Sequence, residues 1–279
     1  LKKRTKNDLI ILHLVTSLPL ILINILDFKC KFILRISGYP KLNIFRKFLW
    51  KIALKKIFLV TCPTKKTYEH LKSLDLCEHK KLKILFDPVI SVREINKNTK
   101  EKINKMGDFY LAIGRLTKQK NFLFLCECFK EIIKKYSKIK LIIIGDGESY
   151  NMLSKFISQN QLSNNIFLLG HKKNVFPYFK KAKGFILSSL WEDPGFVLVE
   201  AAFCKVPIFS SDAETGPSEL IRNNINGTIF KNNNKKSFLS NFDNYLRNSN
   251  NKKMILNNLK ESRNFSIFNH YKKLNIFLN

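Results

Sequence analysis

Tyr110-Leu111-Ala112-Ile113-Gly114-Arg115-Leu116-Thr117-Lys118-Gln119-Lys120-Asn121-Phe122 passes from a short apolar run, through a glycine and a cationic loop, into an amphipathic helix that begins near Phe122. Further apolar runs of the same kind occur at Leu9 to Leu14, Phe32 to Ile36, Ile57 to Thr61, Leu82 to Phe86, Leu141 to Ile144, Ile166 to Leu169, Gly184 to Leu187 and Val206 to Ser210. Helix-length amphipathic segments separate most of them. Short apolar strands alternating with helices predict parallel sheets covered on both faces, an α/β architecture. Leu18-Pro19 suits the first turn of a helix after a turn at Val15 to Ser17.

The 279 residues exceed the usual single-domain size, and 45% hydrophobic with 12% aromatic residues is a globular composition. A break is expected after Asp87-Pro88-Val89, because Pro88 pushes Asp87 out of helical geometry and a polar segment follows to Met106-Gly107. The expected division is residues 1–104, with a linker from about 88, then 105–264, then a helical tail 265–279. The first domain looks short by about two strand and helix units, and the chain opens on Leu1 without a signal peptide, so its front is expected to be missing. Leu9 to Leu26 carries His13, Thr16, Ser17, Pro19 and Asn24 in a span barely long enough to cross a bilayer, so strand, loop and helix are expected there instead.

A net charge of +29 raises a polyanion as partner, whether nucleic acid or an anionic membrane. The lysine accompanies abundant Asn, Ile and Phe, as biased base composition produces, and no zinc pattern or nucleic-acid strand motif occurs. Nucleic acid is therefore not expected. Cys30, Cys62, Cys77, Cys126, Cys128 and Cys204 form no C-x-x-C pair, and most lie in apolar runs, which fits reduced thiols in a cytoplasmic protein.

Ser188-Ser189-Leu190-Trp191-Glu192-Asp193-Pro194-Gly195-Phe196-Val197-Leu198-Val199-Glu200 sets two glutamates eight positions apart, the first in a loop and the second about one turn into a helix. The first-turn N–H groups at Gly195, Phe196 and Val197 are unpaired donors suited to a phosphate or sugar hydroxyl. Glu200 can accept both hydroxyls of a ribose. Alone, such a pair is more often two exposed glutamates flanking a helix start. Arg115 and Lys120 change the balance, since they leave the carboxyl end of a strand, where open α/β sheets bind ligands. Their charges suit a departing diphosphate. Two more strand-end loops, Gly145-Asp146-Gly147 and Glu214-Thr215-Gly216-Pro217, belong to the same edge; the first is expected to be a structural turn, while Gly216 is a candidate contact.

Arg-x4-Lys followed by Glu-x7-Glu, over about Phe109 to Phe230, resembles glycosyltransferase family 4, the retaining enzymes of the GT-B fold. The resemblance implies two Rossmann-like domains facing a cleft. It implies that Arg115 and Lys120 hold the donor diphosphate and that Glu192 faces the transferred sugar as the catalytic residue. Gly195, Phe196 and Val197 would meet sugar and phosphate, Glu200 the ribose, and backbone near Gly170-His171 the nucleobase, while the tail from about Phe265 would pack on the first domain. Many members carry a histidine where this chain has Ser37, which cannot be assumed to substitute.

Arg35 to Leu42 and Cys62-Pro63-Thr64 look like features of a bacterial subgroup that builds surface polysaccharide, implying a lipid-linked or lipopolysaccharide glycan acceptor. No cofactor is expected beyond the nucleotide sugar, with UDP favoured over GDP. No metal is expected either, since no D-x-D occurs and the two cations supply charge. Lys41 to Phe58 reads as a helix with Leu42, Phe45, Phe48, Leu49, Ile52 and Ala53 on one face, and Arg46, Lys47, Lys51 and Lys55 opposite with Trp50 and Leu54 among them. The basic face can rest on anionic lipid. A non-catalytic sugar-nucleotide-binding subunit on the same fold and a basic nucleic-acid binder are the rival readings.

Overall fold

The structure, a computed structural model, describes residues 5, 8–14, 17–36, 38, 40, 42–104, 106–192 and 194–278. Ser37, Asp193 and most of the expected turn at Val15 to Ser17 lie outside them. The chain forms two compact units, one of residues 1–87 with 272–279 and one of residues 88–271.

In the first unit β1 (Leu9–Leu14), α1 (Leu18–Ile25), β2 (Lys31–Ile36), α2 (Ile44–Lys56), β3 (Leu59–Cys62), α3 (Lys65–Ser73) and β4 (Leu82–Ile84) alternate. Their strands pair in parallel in the order β1-β2-β3-β4. The expected strand at Ile57 starts two residues later, because α2 runs to Lys56 and the Ile57 N–H is used to bond the Leu54 carbonyl at the helix end.

The inward face of α2 is turned from the expected apolar stripe: Ala53 of that stripe is buried and Lys47, Lys51 and Lys55 are exposed as expected, but the rest differs. Trp50, Ala53 and Leu54 are buried, while Phe45, Phe48 and Ile52 are exposed. The tryptophan decides the orientation: its Nε1 donates to Ser17 Oγ at 3.2 Å, and its large ring fills the core with Leu20, Leu34 and Ala53. Hydrophobic spacing finds a stripe but cannot tell which of two apolar stripes meets the sheet.

The second unit carries α4 (Val92–Asn98), β5 (Tyr110–Ile113), α5 (Phe122–Lys135), β6 (Leu141–Ile144), α6 (Tyr150–Gln159), β7 (Ile166–Leu168), α7 (Phe176–Lys181), β8 (Gly184–Leu187) and α8 (Phe196–Phe203). Then follow β9 (Ile208–Ser211), α9 (Gly216–Leu220), β10 (Thr228–Phe230), α10 (Lys235–Asn248) and α11 (Lys252–Ser262); α12 (Ile267–Leu278) is divided between the units at Tyr271. The six strands are parallel in the order β10-β9-β8-β5-β6-β7. Among the described residues no helix is long and apolar enough to cross a membrane.

Strands of this sheet are apolar on both faces because both faces are covered. Leu141 and Ile143 enter one core with Ala112, Ile186 and Phe209, while Ile142 and Ile144 enter the other with Leu111, Phe185 and Ile208. Phe238, Phe242 and Tyr245, spaced along one face of α10, close the first core around Phe209, whose ring lies 4.9 Å from Phe238 and 5.0 Å from Tyr245. The last expected strand begins at Ile208 rather than Val206, since Val206 N–H still bonds the Ala201 carbonyl behind the turn at Lys205.

The carboxyl ends of β5 and β6 are locked together. Gly114 N–H donates to Ile144 O at 3.0 Å and Leu116 N–H to Asp146 O at 2.8 Å. Gly145 has φ +150°, and a Cβ there would stand 1.8 Å from the Gly114 carbonyl oxygen. Gly170 also has positive φ, but nothing lies within 4 Å of its would-be Cβ. Gly145→Ala is expected to cost about 3 kcal/mol or more, from strain plus a clash between backbones, whereas Gly170→Ala costs about 1 kcal/mol. Urea unfolding of the two variants checks this; equal costs would show that the loop yields freely.

Candidate functional site

The chain order places β5 between β6 and β8, so the sheet grows one way through β6 and β7 and then the other way through β8, β9 and β10. The crevice above such a reversal point is where open parallel sheets take ligands. The loops that flank it follow β5 and β8, and they carry Arg115 with Lys120, and Glu192 with Gly195.

These loops are bonded to each other through both backbone and side chains. Leu190 N–H donates to Gln119 O at 2.8 Å, Gln119 Nε2 donates to Trp191 O at 2.8 Å, and Ser188 Oγ donates to Lys120 O at 2.8 Å. At their centre Lys120 Nζ lies 2.5 Å from Glu192 Oε1, with the two side chains only 13% and 5% exposed. Ser189 Oγ donates to the same Glu192 oxygen at 2.6 Å. An ion pair this enclosed keeps its geometry, because losing either partner would leave a charge without water or counterion.

The β9 loop supports Glu192 from behind. The Thr215 hydroxyl donates to the Glu192 carbonyl oxygen, Trp191 bridges to Glu214, and Ser211 Oγ donates to Ser189 O at 2.7 Å. Gly216 allows this approach: a Cβ there would sit 1.8 Å from the Pro194 carbonyl oxygen. Gly216 thus stands against the turn that precedes α8.

Gly195 caps α8 in the left-handed region with φ +83°, and the first intrahelical bond runs from Leu198 N–H to Gly195 O at 3.0 Å. The N–H groups of Gly195, Phe196 and Val197 make no backbone bond among the described residues. Their free donors and the positive end of the helix dipole favour an anion at this point. Glu200 stands one turn further along. Burial alone pushes its carboxyl up to about 7, and among the described residues its side chain makes no hydrogen bond or ion pair. Arg115 is exposed, and its guanidinium is unpaired among the described residues.

His171 is exposed after Gly170, whose carbonyl accepts Gly145 N–H at 3.0 Å, so the β7 loop joins the same edge. Gly145-Asp146-Gly147 grips the backbone of Leu116 and orients the cationic loop. The residues expected at the site therefore lie on the loops of one sheet edge and in the first turns of α8, with Lys120 and Glu192 in direct contact. Sequence reasoning missed Ser188, Ser189, Gln119 and Thr215, which fix that contact. The only trace of them is a pair of serines at the end of a strand, a pattern too common to assign.

The family model of glycosyl transferases group 1 matches residues 93–262. An uncharacterised glycosyltransferase of Methanocaldococcus jannaschii is 36% identical over 242 residues, covering 77% of this chain and 58% of the relative. The N-acetylgalactosamine-N,N'-diacetylbacillosaminyl-diphospho-undecaprenol 4-alpha-N-acetylgalactosaminyltransferase of Campylobacter jejuni is 27% identical over 195 residues, covering 70% of this chain and 52% of that protein. The chain thus spans little more than half the length of these relatives. In fold it is similar to the Anabaena protein HepE, solved in complex with UDP, with a TM-score of 0.76 at 15% identity over 96% of this chain and 78% of that one. The two parallel α/β units are those of a GT-B glycosyltransferase. With its β5 and β8 loops joined over the sheet reversal and the family model spanning both, the chain belongs to the glycosyl transferases group 1.

Proposed function

We propose that the chain provides the donor half of a retaining, metal-independent glycosyl transfer of the family 4 type. A hexosyl or N-acetylhexosaminyl group passes from a nucleoside-diphosphate sugar, preferably UDP-linked, to a lipid-linked or lipopolysaccharide glycan at the cytoplasmic face of a membrane. The observation that carries the reading is the joined loop pair, Lys120 against Glu192, together with Arg115 and the N–H groups that open α8, which have no partner among the described residues.

The chemistry follows from where charge develops. As the bond from sugar C1 to the diphosphate oxygen breaks, negative charge gathers on the phosphate and positive charge at C1. Arg115 and the Gly195 to Val197 N–H groups meet the first, and Glu192 faces the second. Lys120 stands between them, holding Glu192 while adding its charge on the phosphate side. Glu200 accepts from the ribose hydroxyls and His171 borders the base. The acceptor hydroxyl attacks C1 on the face the diphosphate leaves, and its proton passes to the departing phosphate oxygen. The Campylobacter relative, whose name carries a diphospho-undecaprenol acceptor, supports the lipid-linked assignment, and the UDP bound to the Anabaena protein supports the donor class.

A thermal-shift series with UDP-, GDP- and ADP-sugars tests the reading. A UDP-sugar at about a hundred times its Kd is expected to raise Tm by several degrees. Absence of a shift with all three, together with salt-dependent retention on DNA, would overturn it in favour of a polyanion binder. Glu192→Gln is expected to lower kcat by about 100-fold or more with donor affinity within about threefold, since the carboxylate acts on charge present only in the transition state. Equal loss of both would remove that role.

Glu200 gives a pH signature. With its carboxyl near 7 in the folded chain and an ordinary value of 4.5 when unfolded, the folded state binds the extra proton between those values. Stability therefore falls as pH rises from about 4.5 to 7 and then levels. Ribose hydroxyls bond the ionised form more strongly, so affinity for a UDP-sugar should rise roughly tenfold from pH 6 to 8. Calorimetric titration across that range checks it, and Glu200→Gln should flatten the profile.

A further inference from the structure

We infer that the groove between α4, the end of α8 and the start of α12 binds a single-chain lipid phosphate, an apolar chain ending in a phosphate monoester. The site is separate from the donor loops and goes beyond the proposed transfer reaction.

Ile90, Val92, Phe203, Ile267, Phe268 and Tyr271 supply the apolar walls of a cavity of about 810 Å³, all of them in the second unit. That volume suits one small molecule. Ile90 is 1% exposed, whereas Phe268 is 72% and Tyr271 64% exposed. The two chain segments that form the groove are pinned together, as Ile90 N–H donates to Phe265 O at 2.9 Å and Ile267 N–H donates to Ile90 O at 3.1 Å. A ligand therefore meets walls that are already in place.

The polar side chains of the lining decide against a sugar or a nucleotide. Ser91 Oγ accepts Glu94 N–H at 3.5 Å, Ser266 Oγ accepts Asn269 N–H at 3.2 Å, and Asn269 Nδ2 donates to Arg263 O at 2.7 Å. Each is engaged with backbone, which leaves little to orient hydroxyls or a base edge. What remains is apolar surface and two cations, Arg93 and Arg263. Both are exposed, line the cavity and carry guanidinium groups that are unpaired among the described residues. No Asp or Glu lines it, and of the nearest acids in sequence, Glu94 and Glu261, the second is held by Arg222 at 2.7 Å. Guanidinium forks match phosphate oxygens, and a pair of them matches the double charge of a monoester. A second copy of this chain is a poor occupant, since a two-fold contact would press each arginine pair against its own likeness.

Phe203 ends α8, and Gly195, Phe196 and Val197 begin it, about 10 Å away along the helix. The lipid phosphate and a nucleotide sugar are therefore expected to bind together.

Calorimetric titration of the whole chain with decyl phosphate, below its micelle concentration, tests the site. Decyl phosphate is expected to bind about tenfold or more tightly than hexyl phosphate, since the longer chain buries four further CH₂ groups. It should exceed decanol and inorganic phosphate by about tenfold or more as well, because each lacks one half of the recognition. Arg93→Gln/Arg263→Gln and Phe268→Ser/Tyr271→Ser should each lose about tenfold, with Tm and the shift given by a UDP-sugar at the wild-type value. The chain-length series needs no variant and decides the matter if one fails to fold. Equal affinity for the two chain lengths, inorganic phosphate binding as tightly as decyl phosphate, or unchanged binding by a folded arginine variant would overturn the inference. So would displacement of decyl phosphate by a UDP-sugar, which would move the ligand to the donor loops. Binding to phosphatidic acid vesicles without binding of the monomer would overturn it too, since a bilayer surface would then be the partner. Decyl phosphate binding with no donor shift would remove the proposed transferase reading and leave the groove and its ligand standing.

Discussion

The ion pair between Lys120 and Glu192 is the interaction on which the candidate site depends. It joins loops that lie 72 residues apart in sequence and meet because their strands, β5 and β8, are neighbours at the reversal of the sheet. Almost enclosed, it has Ser189 on the carboxylate, and the Lys120 backbone is anchored by Ser188. Breaking it would strand one charge in a poorly hydrated place, so the pair fixes loop geometry whether or not it adds net stability.

The other loops act as buttresses to that pair. Gly145 lets the β6 loop seat against Gly114, and Gly216 lets the β9 loop seat against Pro194. A methyl group at either position would push the cationic loop or the glutamate loop outward. What looks in the sequence like a scatter of glycines near strand ends is, in the fold, a set of backbone approaches that hold the ends of four strands together. The Gly195 to Val197 N–H groups, unbonded among the described residues, follow Glu192 on the same braced loop, the kind of fixed arrangement that the proposed electrostatic role requires.

The α/β class was legible because strands buried on both faces must be apolar throughout. Leu141 to Ile144 and Gly184 to Leu187 stand where their apolar runs place them. Ile57 and Val206 were misjudged as strand starts because an apolar residue can end a helix or follow a turn as readily as begin a strand. The orientation of α2 was not legible, since Phe45 and Trp50 offer comparable apolar area and only the tertiary seam at Ser17 chooses Trp50. Charged side chains of the site could be named from spacing after strands. The hydroxyls of Ser188, Ser189 and Thr215 could not, because a serine or threonine shows its partner only after the loops have met.

The two glutamates show how one spacing yields two chemistries. Glu192 lies in a loop beside an ammonium and a hydroxyl, and its neighbours are polar. Glu200 lies in a helix, has only burial acting on it, and is pushed up to about 7. Carboxyl groups in surroundings this different can take separate tasks. A ligand that brings hydroxyl donors to Glu200 supplies the partners its carboxylate lacks, and so favours its ionised form. A ligand that brings phosphate to Lys120 instead competes for a cation already engaged. The first is a gain on binding and the second a rearrangement of charge, in keeping with the proposal of ribose recognition at Glu200 and a charge-sensitive step at Glu192.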